Sequence, residues 1–121
     1  MSEQAAIESV IRTYFDSMFE SNSEKAKAAF HPDARITGYL GGDLLNMGTD
    51  EFAAFVADQQ PSAKSKGEEP RLEIVSMHIA GEVAIAQVRD EYLGHTFLDL
   101  LSLMKIDGVW RIQNKLFHVE S

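Results

Sequence analysis

The sequence predicts an α+β domain in which N-terminal helices pack against one antiparallel sheet. Three observations predict it. The opening segment carries a helical apolar stripe. The C-terminal half is rich in β-branched and apolar residues. Gly81-Glu82 and Asp107-Gly108 punctuate that half as two-residue hairpin turns. Helices first and a meander afterwards is the α+β order.

Ile7, Val10, Ile11, Tyr14, Phe15, Met18 and Phe19 recur at i, i+3 and i+4, which makes one apolar face. Ser21-Asn22-Ser23 breaks the pattern, and Ser23 is the expected N-cap of a short helix from Glu24 to Phe30. Pro32 stops that helix and Asp33 turns the chain. Ala34 to Leu40 and Leu44 to Met47 read as short strands joined at Gly41-Gly42-Asp43. Thr49-Asp50-Glu51 starts a third helix, with Phe52, Ala53, Phe55 and Val56 on its apolar face. Pro61 closes it, and Ser62 to Glu69 reads as a mobile loop. Four strands follow: Arg71 to Ala80, Val83 to Tyr92, Thr96 to Ile106 and Val109 to Val119.

At 121 residues the chain suits one domain, 1–121, large enough for one real core. Hydrophobic residues at 45% exclude a disordered chain. A net charge of −8 argues against nucleic acid as a partner. With no cysteine, disulfides, thiolate nucleophiles and zinc fingers are excluded. The four histidines show no metal-ligand spacing, and no phosphate-binding glycine motif is present. Neither a metal nor an organic cofactor is therefore expected. The acidic start and the lack of a long apolar run predict a soluble, cytoplasmic protein with no membrane partner.

The turns set a register. Counting from Asp107-Gly108 places Leu103 opposite Ile112, Leu101 opposite Asn114 and Asp99 opposite Leu116. A two-residue turn at Gly94-His95 would set Asp90 opposite Asp99. Strict alternation then puts Asp90, Tyr92, Asp99, Trp110, Asn114 and His118 on the helix-covered face. The other face holds Ile74, His78, Ile85, Leu98, Leu100, Met104 and Phe117, and Lys115 with them. That face is too apolar to be simply solvated, which predicts a subunit interface.

These motifs resemble the nuclear transport factor 2-like superfamily, which includes SnoaL-like polyketide cyclases, ketosteroid isomerase and scytalone dehydratase. The resemblance rests on the helix Ile7–Phe19, on Ala29-Phe30-His31-Pro32-Asp33-Ala34, on Thr49-Asp50-Glu51-Phe52 and on Lys105-Ile106-Asp107-Gly108-Val109-Trp110-Arg111-Ile112. The stretches Asp99 to Lys105 and Asn114 to Phe117 are most similar to the putative lumazine-binding branch. The resemblance implies a cystatin-like α+β cone, with helices in the concave face of a curved antiparallel sheet. It also implies an internal pocket and a homodimer.

Asp99, Tyr14 and His118 are the candidate catalytic residues. Two carboxylates close together on a partly apolar face raise one another's pKa, as acid–base chemistry near neutral pH requires. Asp99 is the candidate base, with Asp90 beside it. A structural alternative leaves Asp90 at a frayed strand end and Asp99 bonded to a backbone or hydroxyl donor. Tyr14 matches the position where ketosteroid isomerase donates a hydrogen bond to an oxyanion; a satisfied core tyrosine fits its place equally. Where that enzyme carries its base, this chain has Thr37-Gly38-Tyr39, and Gly38 cannot abstract a proton. His118 is a base by residue type. Asp90, Tyr92, Asn114, Tyr39 and Trp110 are the candidate ligand-binding residues. The function these features predict is binding of an unknown small molecule in a mostly apolar pocket, with proton-transfer chemistry of the isomerase, dehydratase or cyclase type. The alternative is a non-catalytic homodimeric interaction or carrier module built on the outer sheet face.

Overall fold

A computed structural model describes residues 2–121. Three helices, α1 (Glu3–Phe19), α2 (Ser23–Ala29) and α3 (Thr49–Ala57), lie against six strands. The strands are β1 (Phe30–Leu40), β2 (Asp43–Gly48), β3 (Leu72–Ala80), β4 (Val83–Tyr92), β5 (His95–Ile106) and β6 (Val109–Val119). They form one sheet in the order β2-β1-β6-β5-β4-β3. All neighbours are antiparallel except β1 and β6. The sheet curves without closing, and the helices fill its concave side, as the α+β cone requires.

Local chemistry sets most boundaries. Ser2 caps α1 by accepting the Ala5 N–H at 3.1 Å. Asn22 rather than Ser23 caps α2, accepting from Lys25 N–H at 3.1 Å. The cap of α3 is Gly48, whose N–H donates to Glu51 Oε1 at 3.1 Å. The Thr49 hydroxyl donates instead to the His31 carbonyl at 2.6 Å, which fastens α3 to β1. Residues from Phe30 onward already belong to β1, so Pro32 sits at an irregularity within a strand and does not end a helix. The segment read as a loop, Ser62 to Glu69, folds back on itself. Its Lys64 N–H donates to the Phe19 carbonyl at 3.0 Å and anchors it to the end of α1.

The core is the concave side. Ile7, Ile11, Tyr14, Phe15 and Met18 of α1 are buried against Ala84, Val88, Leu101, Leu103 and Ile112 of the sheet. Trp110 closes one end of this core. Its Nε1–H donates to Glu3 Oε2 at 2.6 Å, and Lys105 Nζ donates to Glu3 Oε1 at 2.9 Å. The convex side leaves Val83, Ile85, Leu100, Met104 and Leu116 exposed.

Two irregularities correct the expected faces. In β6, Ser102 pairs with Asn114 while Leu103 pairs with Ile112, so Gln113 is an extra residue. A bulge exchanges the two faces for everything beyond it. Lys115 and Phe117 therefore turn inward, while Asn114, Leu116 and His118 turn outward. In β3, the shift between Ile74 and Ser76 leaves Val75 as the extra residue; Ile74 packs on the core and Val75 is exposed.

Candidate functional site

The site lies where α1 crosses the strands β4, β5 and β6. The Leu93-Gly94 pair, both at positive φ, forms the β4–β5 turn, so Tyr92 pairs with His95. The expected turn at Gly94-His95 is thus displaced, and Asp99 pairs with Val88 instead of Asp90. The displacement moves the partner by two residues, which preserves the face. Asp90 and Asp99 remain diagonal neighbours on the concave side. Both are buried, Asp90 at 2% exposure and Asp99 at 0%.

Tyr14 brings the helix to this pair. Its hydroxyl donates to Asp99 Oδ2 at 2.5 Å. Among the described residues, Asp99 Oδ1, both Asp90 carboxyl oxygens and the Tyr92 hydroxyl have no hydrogen-bond partner. Such buried, unpaired polar atoms are costly, and their concentration at one place calls for an explanation. Burial, and then the neighbouring Asp99, pushes the Asp90 pKa up from 3.8 to about 9. The Asp90 carboxyl therefore holds its proton at neutral pH. Burial also pushes the Tyr14 phenol well above 10.0, helped by the charges of Asp90 and Asp99. Burial raises the Tyr92 phenol in the same direction.

The residue that strict alternation missed is Lys115. It is 5% exposed, and its Nζ lies 4.7 Å from the Tyr14 ring centroid, 5.0 Å from Phe52 and 5.5 Å from Phe117. Those distances fit cation–π contact with all three rings. Phe117 holds its position because Gly38 on the adjacent β1 leaves room for it. A Cβ there would lie 2.5 Å from the Phe117 carbonyl oxygen and 2.7 Å from its ring. Gly38 thus has a steric role. A signal for Lys115 was present in the sequence: the adjacent polar pair Gln113-Asn114 interrupts the alternation, after which Lys115, Phe117 and Val119 share one parity.

Above this cluster lies a cavity of ≈ 30 Å³, within a wider recess of ≈ 390 Å³ counting its open mouth. The smaller volume holds about two waters. Apolar side chains, among them Met18, Ile36, Phe52 and Phe97, make most of the wall. Lys115 and Tyr92 are the polar residues of its lining; Asp90 and Asp99 are not part of it, and Asp99 joins the cluster through Tyr14, whose ring faces the Lys115 nitrogen. The other candidates fall elsewhere. Asn114 lines a groove on the convex face beside Leu100 and Leu116, and His118 is exposed there. Tyr39 is 66% exposed on β1, away from the cavity. Trp110 belongs to the core, roughly 17 Å along β6 from Lys115. Among the described residues no group of three or more histidines or acids is placed to hold a metal ion. No helix among them is long and apolar enough to cross a membrane.

Helices packed in the concave face of a curved, unclosed six-strand sheet are the cystatin-like fold of the nuclear transport factor 2-like class. Solved structures agree. A nuclear transport factor 2-like protein of unknown function from Silicibacter pomeroyi superposes with a TM-score of 0.87 at 25% identity, over 99% of this chain and 100% of its own. Another, from Methylobacillus flagellatus, gives 0.85 at 31% identity, over 100% of this chain and 96% of its own. The chain belongs to the putative lumazine-binding family, whose model matches residues 2–118. It is also 30% identical over 118 residues to the aldolase FrzH of Cladobotryum sp, covering 97% of this chain and 91% of that protein.

Proposed function

We propose that the cone binds a small, largely apolar molecule carrying one carbonyl group and moves a proton at the carbon beside it. One observation carries this reading: the acid Asp90 and a second carboxyl group, Asp99, whose Oδ1 is unpaired among the described residues, are buried in one cluster with Tyr14 and Lys115, and Lys115 lines an apolar cavity. Lys115 and Tyr92 engage the carbonyl oxygen, where negative charge develops. Asp99 Oδ1 is the proton acceptor of this reading and Asp90 its proton donor. Tyr14 orients Asp99 by holding its other oxygen. Isomerisation, dehydration and cyclisation share this first step. Aldol addition shares it too, and the aldolase name of the Cladobotryum relative supports that class.

The test is proton exchange. Cyclopentanone and butanal are incubated with the protein in D₂O and followed by proton NMR. The expected result is loss of the α-proton signals above the protein-free rate, reduced about a hundredfold or more in Asp99→Asn with its circular dichroism unchanged. Exchange at the protein-free rate, with the cavity resonances of Tyr92 unmoved by either probe, would overturn the reading.

A second reading concerns the convex face. Leu100 and Leu116 pair across β5 and β6 and are 46% and 47% exposed, with Ile85 at 61% beside them. An apolar strip of this kind supports a homodimer through the outer sheet face, where it would be removed from water. Sedimentation velocity checks it: a dimer that Leu100→Glu converts to monomer is expected, and a wild-type monomer at high concentration would end it.

A further inference from the structure

We propose that Lys115 is the nucleophile of this cavity and joins a carbonyl ligand through a protonated imine. The inference rests on the carbonyl reading above and deepens it. Four features carry it. The Lys115 amine faces the cavity although the side chain is almost wholly buried. It forms no ion pair within 4.0 Å among the described residues, whereas Lys25, Lys66 and Lys105 pair with Glu20, Glu68 and Glu3. Its stem is fixed on β6 between β5 and β1, and three aromatic rings surround its nitrogen. Tyr14, whose ring its nitrogen faces, donates to Asp99, and the Lys115 charge acts on Asp90. A desolvated amine with no carboxylate within ion-pair distance among the described residues is the arrangement by which lysines capture carbonyl carbons.

The step balances without any co-reactant. The Lys115 ammonium passes a proton to a cavity water, and its nitrogen adds to the carbonyl carbon. The C–O bond then breaks, and the oxygen leaves as water carrying two hydrogens that began on the nitrogen. Ammonium and carbonyl compound thus become protonated imine and water. The positive nitrogen draws electrons from the α C–H bond, whose proton goes to Asp99 Oδ1 and leaves an enamine.

Reductive trapping tests this. The wild-type protein is treated with limiting butanal and sodium cyanoborohydride, digested, and each lysine peptide is quantified for the N-butyl group. Lys115 is expected to carry about tenfold more label than the mean of Lys25, Lys27, Lys64, Lys66 and Lys105, because those nitrogens lack a fixed carbonyl beside them. Lys115→Arg keeps the charge and is expected to lose both this label and the α-proton exchange. Label spread over the exposed lysines, with Lys115 unmodified, overturns the imine. If wild-type exchange persists without trapping, or Lys115→Arg still exchanges, the imine falls and the proton-transfer reading stands. If neither trapping nor exchange occurs, both fall.

Discussion

The Tyr14 hydroxyl reaches 2.5 Å to Asp99 Oδ2, joining the middle of α1 to the middle of β5. Both residues are fully buried, so the bond ties the helix to the sheet through the core. It also leaves Asp99 with one satisfied oxygen and one free one.

Tyr14→Phe removes the donor and strands a second carboxyl oxygen. Leaving one partner of a buried hydrogen bond unsatisfied costs about 1–3 kcal/mol, and a loss of that order is expected in urea unfolding. An unchanged midpoint would mean that the bond has no net value.

Asp90 gives the protein a pH signature. Its folded-state pKa of about 9 stands above its ordinary 3.8, so the folded form binds the extra proton between those values. The stability this contributes is complete below 3.8 and drains away as pH rises through about 9. Asp90→Asn has no such proton to lose. It is expected to flatten the decline and to exceed wild type at pH 8 by about 1 kcal/mol or more, measured by chemical denaturation. Parallel stability curves for the two proteins would show that Asp90 titrates normally.

Lys115 works against that shift, since its charge lowers the Asp90 pKa. In Lys115→Met the Asp90 carboxyl is expected to titrate above its wild-type position, as read by carbon-13 NMR. An unmoved titration would place the two groups too far apart to interact.

Gly38→Ala drives a methyl group into the Phe117 carbonyl and ring. Backbone cannot yield cheaply there, and a loss of about 1–3 kcal/mol is expected. The same variant should loosen the ring cage of Lys115 and change its side-chain NMR shifts. A variant as stable as wild type would show that β1 and β6 can separate without cost.

Composition and periodicity determined the architecture. The apolar stripe of α1 has only one way to leave water, against the alternating strands that follow it, and glycines at turn positions fixed where the hairpins close. The concave placement of Tyr14, Asp90 and Asp99 was legible for the same reason, because a two-residue error in register leaves side chains on their own face. The register at Leu93-Gly94 was less so: positive φ is cheap for glycine, but its extension to Leu93 is imposed by the hairpin. The polar pair Gln113-Asn114 marked a break in the alternation, but only the tertiary structure decided what stands beside those acids. One unpaired residue, Gln113, lets β6 follow the curve between β1 and β5, and in doing so it withdraws Asn114 and His118 from the interior and delivers Lys115. Curvature is a property of the whole sheet, so no pattern confined to β6 dictates which residue must absorb it.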